Sequence, residues 1–267
     1  MRRSSMLAFA ACLVLGGLTA PPATAQDLWQ YIDLTSDAFT KADMTRAEVE
    51  AAIAAAGGNG VDLSGKQLNR LDLSGLDLSG ANLNAARING TRLAGAKLKG
   101  ANLDQVWALD ADLTGADLEG AHLISAQLMR AKLDGANLSH ARLASDLTQA
   151  SLVGARLDGI NMADGKPARA SRRHPIVLRS AKLDRAKLTN AGLVGAVLEF
   201  ASLKDADLSG SILAGAALGG ADLNGANVAN ADFNGADLSS AHLETLVGRE
   251  AIVKLDKARN VDQAYLK

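Results

Sequence analysis

Along most of the chain, leucine returns every five residues, and a second apolar residue, usually alanine, stands two places before it. The stretch ADLTGADLEGAHL at residues 111–123 shows the rule. A period of five matches neither the 3.6 residues of an amphipathic helix nor the two residues of a strand. The two apolar positions, separated by one polar residue, predict a very short β-like side. The three residues that follow are rich in Gly, Ser, Asn and Asp and predict a corner.

The units are nearly continuous. Their centres run from Leu63 to Leu143, shift by a one-residue deletion to Leu147, and after an interruption run from Leu178 to Leu243. This gives 35 units, of which 30 have leucine at the centre. No unit can bury its own leucine, so a chain that always turns in the same direction must stack on itself to form a core. The pattern therefore predicts an all-β solenoid.

The units ADLTG, ADLEG, ANLSH, AKLDG, ADLNG and ADLSS follow the pattern A-(D/N)-L-x-x, and in this the chain resembles the pentapeptide-repeat family over residues 61–243. The resemblance implies a right-handed quadrilateral β-helix with four units per coil, in which residues 20 positions apart are vertical neighbours. The units then make about nine coils, and the rod is about 40 Å long at roughly 4.8 Å per coil.

One irregular unit tests this packing model. Val106 stands where alanine is expected, and Ala108 stands where leucine is expected. The exchange roughly conserves the inward volume, which is the kind of change that cores tolerate best. We therefore expect this unit to remain in register.

Residues 26–60 precede the repeat and are predicted to form a helical cap at the N-terminal end. Thr45 and Glu48 have the spacing of a capping box, and the glycine pair that begins at Gly57 supplies a stop, so a helix is predicted over 45–56. A second, shorter helix is expected around 28–32.

The last 20 residues, 248–267, leave the five-residue rule. Open solenoid ends expose backbone and apolar surface, so they are usually capped. The candidates for a C-terminal cap are Ile252, Val253, Leu255 and Leu266. The alternative is a homodimer contact through this end, as the resemblance to the family implies for some relatives.

The first 25 residues have the features of a secretory signal peptide. Two arginines are followed by an apolar run over 6–18 and by a small-x-small site at 23–25. The run is too short for a transmembrane helix, so no membrane span is expected after its removal. Export to the periplasm or the extracellular space is predicted. The single cysteine, Cys12, lies in this segment, so the mature chain has no disulfide.

Composition and motifs argue against an enzyme. The formal charge of −1 gives no reason to expect a nucleic-acid partner. The four histidines lie in different units without metal-ligand spacing, and the chain has no phosphate loop and no G-x-S-x-G motif. No catalytic residue, metal or cofactor is predicted.

The first candidate site is a basic loop at 163–177, where about 11 extra residues interrupt the repeat. A loop of this kind on a rigid scaffold can bind an anionic or protein partner. The alternative is a tolerated insertion whose charges are solvated. The residues proposed to bind are Lys166, Arg169, Arg172, Arg173 and His174.

The second candidate site is an apolar patch. Leu109 and Met129 are outward positions 20 residues apart, with Trp107 on the same side and Ile124 at the preceding corner. If the insertion leaves from one corner, two valines, at 177 and 197, fall on that side as well. A cluster of this kind indicates a partner surface, whereas single exposed apolar residues need no explanation.

The function that fits these features best is a non-enzymatic, exported interaction scaffold with an unidentified protein partner in the cell envelope. The alternatives are a DNA-mimicking gyrase-binding protein, which the family resemblance suggests, and an envelope element that assembles end to end. The outward residues Asp72, Arg92, Asp112 and Lys132 alternate in sign, which opposes DNA mimicry. The predicted order is a signal peptide (1–25), an N-terminal helical cap (26–60), a first β-helix part (61–162), the basic loop (163–177), a second β-helix part (178–247) and a C-terminal cap (248–267).

Overall fold

The computed structural model describes residues 33–161 and 175–266. The repeat forms a four-sided solenoid of stacked parallel coils. The residue between the two inward positions of each unit makes a parallel β-bridge to its counterpart one coil later, as Asn102 does with His122. This offset of 20 residues is the one that the resemblance implied.

The bridges form four columns, which we call faces 1 to 4. Face 1 begins with Asp62, Asn82 and Asn102, and face 2 with Gln67, Arg87 and Trp107. Face 3 begins with Asp72, Arg92 and Asp112, and face 4 with Asp77, Lys97 and Asp117.

Backbone hydrogen bonds hold the coils together. The Asn102 amide donates to the Ala81 carbonyl at 2.9 Å, and the Asn102 carbonyl accepts from Leu83 at 2.7 Å. Most corners are tight turns in which the amide of the next unit donates to the carbonyl of the central leucine, as Ala101 does to Leu98. The last turn residue has a positive φ, 64° at Gly100, which glycine adopts without steric cost. This explains why so many units end in glycine.

The inward alanines and leucines form one continuous core. Leu138 and Leu198 are typical, since neither exposes any surface. Val106 and Ala108 are both fully buried, which confirms that the irregular unit stays in register.

The one-residue deletion is absorbed at the corner between faces 1 and 2. Here two short parallel strands pair, β1 (His122–Gln127) and β2 (Arg142–Asp146), and their register shifts between Ile124 and Gln127. Ser145 takes the inward alanine position, and its hydroxyl donates to the Leu123 carbonyl. Leu147 is buried, as the shifted register predicted.

The insertion also leaves from the corner between faces 1 and 2. Asn161 lies on face 1, and the chain returns on face 2 at Val177, which bridges Asp146 below it and Val197 above it. The offset from Asp146 to Val177 is 31 residues, whereas one regular coil has 20. The excess of 11 residues agrees with the predicted length of the insertion. Both valines share the face of Trp107, as expected.

Within the described residues, two helices precede the solenoid, α1 (Asp37–Thr40) and α2 (Arg46–Ala56). The capping box at the start of α2 is present, with the Thr45 amide 2.7 Å from Glu48 Oε2, and Gly57 ends the helix with a φ of 60°. Val49 of α2 is fully buried against the core. The predicted signal peptide and the helix expected around 28–32 lie outside the described residues.

The first coil is also paired along its open edge. Ala42 forms an antiparallel bridge with Leu68, and the Asp43 amide donates to the Gln67 carbonyl at 2.7 Å. The Arg46 guanidinium donates to the Asp72 carbonyl at 2.9 Å. The segment before the repeat therefore hydrogen bonds to the edge of the first coil.

The C-terminal residues do leave the five-residue rule, but they continue the ladder with a spacing of six. The side positions of this last coil are 247, 253, 259 and 265, each bridged to the coil below. Its longer corners hold three 3₁₀ helices, Arg249–Ala251, Leu255–Lys257 and Val261–Gln263.

One of the four expected cap residues was misplaced. Val253 faces outward on face 1 and exposes 39 % of its surface, because the six-residue spacing puts it at a side position. Ile252, Leu255 and Leu266 are partly buried against the core. The spacing of Ile252, Ala258 and Ala264, six residues apart, is the sequence pattern from which this coil could have been predicted.

Candidate interaction surfaces

The residues of the predicted basic loop, Lys166, Arg169, Arg172, Arg173 and His174, lie outside the described residues. At its C-terminal base, Ile176 is buried in the alanine position of a unit, and Val177 is on face 2. The structure therefore fixes the base of the insertion, and binding by its cations stays a prediction.

The predicted apolar patch is not an open surface. Trp107 lies on face 2 as expected, but Leu109 and Met129 expose only 3 % and 8 % of their surface, and Ile124 is half-buried. The expectation that the two corner residues face solvent was wrong. Leu109 belongs to the unit with the small Ala108 at its centre and is itself buried.

Part of face 2 is covered by the chain itself. The Phe39 ring packs edge-on against Trp107, with ring centroids 5.6 Å apart and an interplanar angle of 67°. Such an aromatic pair contributes about 0.5–1.5 kcal/mol beyond the area it buries. The sequence places these residues far apart, so the five-residue pattern could not have predicted the contact.

Two buried asparagines attach this segment to the solenoid. Asn69 Nδ2 donates to the Lys41 carbonyl at 2.8 Å, and its Oδ1 accepts from Asn89 Nδ2 at 2.9 Å. Asn89 Oδ1 in turn accepts from the Leu109 amide at 3.0 Å. Because buried polar groups need partners, this ladder favours one position of the N-terminal segment.

A cavity of about 160 Å³ lies between the N-terminal segment and this corner. Its apolar lining comes from Leu34, Phe39 and Leu109. Its polar lining comes from Arg70, Asn89 and Asp110, the last of which forms an ion pair with Arg130 at 2.6 Å. The cavity belongs to the self-contact just described.

Charged side chains on the faces are paired across coils. Arg92 reaches Asp72 at 2.6 Å, and Lys97 reaches Asp77 at 3.3 Å. The hydrogen bond from Arg92, together with one from Ser74, holds the pKa of Asp72 well below its usual range. Exposed pairs of this kind contribute about 0–1 kcal/mol each. Face 3 therefore alternates in sign over its first coils, as predicted.

Four exposed cations around one corner depart from this pairing. Arg156 and Lys187 lie on face 4, Lys182 lies on face 3, and Arg185 lies at the corner between these faces. We call this group the basic corner. Arg156 is 3.5 Å from Asp158, whereas the other three form no ion pair with a described residue. The sequence pattern did not predict this cluster, because only the 31-residue offset across the insertion makes Arg156 and Lys187 neighbours.

No group of His, Cys, Asp and Glu side chains in the described ranges is placed to hold a metal ion. Nor do the described residues contain a helix that combines the length and the apolarity needed to cross a bilayer.

The comparisons with known proteins agree with the architecture. The model of the family described as pentapeptide repeats matches eight copies, over residues 67–105, 111–144, 181–216 and 211–244, which together span just over half of the chain. No curated protein matches the chain.

Solved structures similar to this one are also pentapeptide-repeat proteins. HetL, involved in heterocyst differentiation regulation in the cyanobacterium Nostoc sp. strain PCC 7120, is 30 % identical over 84 % of this chain and 95 % of its own, with a TM-score of 0.60. QnrB1, a plasmid-mediated fluoroquinolone resistance protein, is 18 % identical over 75 % of this chain and 93 % of its own, with a TM-score of 0.42.

Proposed function

The chain belongs to the pentapeptide-repeat family, and on that premise we propose that it is an exported, non-enzymatic interaction scaffold of the cell envelope. Proteins of this family, whose fold is a right-handed quadrilateral β-helix, are generally structural or interaction proteins without catalysis. The proposal includes the rod of about nine coils that the repeat predicts, extended by the last coil of six-residue spacing, with α2 as its N-terminal cap.

The observation that carries the proposal is that each unit uses different positions for the core and for the surface. The core takes the alanine and leucine positions and leaves the side positions and most of the corner residues outside it, where they can vary. The backbone ladder fixes where each of these variable side chains lies. A rigid surface on which partner contacts lose little entropy favours binding.

Export is the part of the proposal that rests on residues 1–25. Its test is fractionation of cells that express the full chain, with a variant that lacks residues 2–25 as the control. We expect the full chain in the periplasm or the medium, shortened by about 25 residues, and the control in the cytoplasm. Full-length protein in the cytoplasm would overturn export.

Scaffolding is tested by cross-linking and capture of partners from envelope fractions with the mature chain. A matched variant replaces 164–176 by a plain corner. A specific partner that the mature chain retains supports the scaffold, and loss of that partner in the variant assigns its binding to the basic loop. Recovery of no partner by either protein would contradict the scaffold.

The gyrase-binding alternative needs an acidic stripe along the rod. Face 3 instead carries Asp72, Arg92, Asp112 and Lys132 in succession. A DNA supercoiling assay with the mature chain decides this alternative, and we expect no inhibition of gyrase.

A homodimer through the C-terminal end is part of the proposal. The carbonyls of Ile252, Ala258 and Ala264 accept no backbone hydrogen bond from a described residue, so the last coil leaves an edge open for pairing. Light scattering of the mature chain is expected to give the mass of two chains. A second copy stacked on this edge would lower its hydrogen exchange as concentration rises, whereas a monomer at all concentrations would contradict the dimer.

A further inference from the structure

Charged residues that are direct vertical neighbours in this solenoid have opposite signs, with one exception among the described bridges. The opposite pairs include Asp72 with Arg92, Asp77 with Lys97, Arg92 with Asp112, Lys97 with Asp117, Asp112 with Lys132, Lys187 with Asp207, and Asp237 with Arg259. The exception is Arg156 with Lys187. Like charges that face each other across neighbouring strands destabilise a sheet. The pair of Arg156 and Lys187 is therefore destabilised by a repulsion that the other charged vertical pairs avoid.

The same corner adds two more cations to this pair. Lys182 and Arg185 belong to the coil of Lys187, so three cations lie within six residues of the chain. The Asp184 carboxylate is oriented toward the next coil, where it accepts hydrogen bonds from the Ser202 hydroxyl and the Lys204 amide. No ion pair joins Asp184 to another described residue.

Arg185 occupies a position where the backbone favours glycine. Its φ is 59°, and most corners of the solenoid have glycine there. A residue with a Cβ in this left-handed conformation costs about 1–2 kcal/mol. An arginine at this position thus adds positive charge to the cluster but lowers the stability of the turn.

We propose that the basic corner binds a short acidic segment of a protein partner. The proposal rests on the scaffold function above and names the chemistry of one partner contact. Arginine donates a fork of hydrogen bonds that fits a carboxylate, and lysine adds a flexible point charge. Glutamate and aspartate side chains of the partner would pair with Lys182, Arg185 and Lys187, none of which forms an ion pair with a described residue.

The flanking coils favour a short segment over a long polyanion. On face 4, Asp117 lies two coils below Arg156 and Asp207 lies one coil above Lys187. On face 3, Asp112 lies three coils below Lys182 and Asp222 lies two coils above it. The cationic stretch is therefore only two to three coils high, or about 10–15 Å. A long, uniformly charged polymer that followed the rod would meet these carboxylates.

The shape of the site argues against a bilayer surface. The four cations lie on two faces and the corner between them, so they point in diverging directions. A flat anionic membrane can contact one face at a time, whereas a peptide can bend around the corner. The observations therefore favour a protein segment as the occupant.

The test measures binding of a fluorescein-labelled hexaglutamate peptide to the mature chain by anisotropy at low salt. The variant Lys182→Gln with Lys187→Gln removes one cation from each of faces 3 and 4. The matched control, Arg92→Gln with Lys97→Gln, removes cations from the same two faces where they are paired with acids. We expect about tenfold weaker binding for the variant, a change within about twofold for the control, and loss of binding as salt rises.

A second variant separates binding from folding. Arg185→Gly removes a cation and gives the turn the residue that its positive φ favours. We expect about threefold weaker peptide binding together with an unchanged or higher melting temperature. A loss of binding that arises from a folding defect would instead come with a lower melting temperature.

Three results would overturn the proposal. The first is equal peptide binding by the Lys182→Gln/Lys187→Gln variant and the unchanged chain. The other two are a preference for long-chain polyphosphate, or for phosphatidylglycerol vesicles, over the peptide. If envelope capture recovers the same partners with this variant and peptide binding is also unchanged, the inference fails while the scaffold stands. If peptide binding depends on the corner but no envelope partner is found, the scaffold fails instead.

Discussion

The two ends of the solenoid are built differently. At the N-terminal end the chain changes structure, with an antiparallel bridge from Ala42 and the buried Val49 of α2 against the first coil. At the C-terminal end it repeats itself with longer corners, and the last coil leaves open the edge that each coil below it pairs with the next coil. In the body, the carbonyls of Ala231 and Ala236 accept hydrogen bonds from the next coil, and their counterparts in the last coil have no such donor among the described residues.

Adding a coil to the solenoid therefore moves the open edge one coil further along the axis and does not close it. Closing the edge of a coil requires a segment that hydrogen bonds to it in a direction different from that of the repeat, as the antiparallel bridge from Ala42 does. Asp43 does this at the first coil, because its amide donates to the Gln67 carbonyl and its carboxylate accepts from the Gln67 amide at 3.0 Å. We therefore expect damage near the first coil to cost more than the same damage near the last.

The largest effect is expected from a charge in the buried contact of α2. Val49→Asp places an unpaired carboxylate where no surface is exposed, and it should lower the free energy of unfolding by about 3–5 kcal/mol. Leu255→Asp, at a partly buried position of the last coil, is the matched change and should cost about 1 kcal/mol. Urea unfolding followed by circular dichroism measures both. Equal losses would contradict the difference between the ends.

The next effect concerns the entry into the first coil. A Cβ added at Gly60, whose φ is 78°, would lie 2.3 Å from the Gly80 carbonyl oxygen. The control, Gly65→Ala, has a similar φ but no atom within 4 Å. We expect the control to cost about 1–2 kcal/mol through its backbone alone. Gly60→Ala should cost about 1–3 kcal/mol more, because the backbone must shift. Thermal unfolding that gives the same loss for both would show that the close approach is unimportant.

A smaller effect is expected at the start of α2. Thr45→Ala removes both hydrogen bonds that its hydroxyl shares with Glu48, so the free energy of unfolding should fall by about 1 kcal/mol. Thr45→Ser keeps the hydroxyl and should restore most of it. Chemical unfolding of the three proteins side by side measures the change. A loss in the serine variant as large as in the alanine variant would exclude the capping box as the cause.

The smallest effect is local and depends on pH. Hydrogen bonds from Ser239 and from Asn260 of the last coil lower the pKa of Asp237 to about 2. A lowered pKa stabilises the fold above the ordinary pKa of the carboxyl, near 4, and this contribution is lost as the pH falls from there through about 2. Hydrogen exchange around Arg259 should accelerate over this range. Asp237→Asn should remove that dependence, and the same acceleration in the variant would exclude Asp237 as its source.

The sequence was sufficient for whatever the five-residue period controls. The inward positions, the shift at Leu147, the compensated unit around Val106 and the corner that carries the insertion all follow from the rule that each unit must bury two side chains. The capping box of α2 could also be predicted, because it depends only on residues three positions apart.

The sequence was insufficient where distant residues meet. The contact of Phe39 with Trp107 joins a segment outside the repeat to a face inside it, and no period relates the two. Its consequence, the cover of face 2 at Trp107, was therefore missed. The like-charge pair of Arg156 and Lys187 was missed for a related reason, since their adjacency depends on how the chain returns after the insertion.

The return of the insertion to face 2 has a consequence for how such a chain can change in length. Extra residues at a corner leave every later side chain on its original face. Loss of one five-residue unit would instead turn everything that follows by a quarter turn about the axis. If that unit is lost between Arg156 and Lys182, then Lys182 and Lys187 stand on faces 2 and 3, away from Arg156. Evolution can vary the loops and can add or remove whole coils, but a change in the number of units that is not a multiple of four reorients the entire remaining surface.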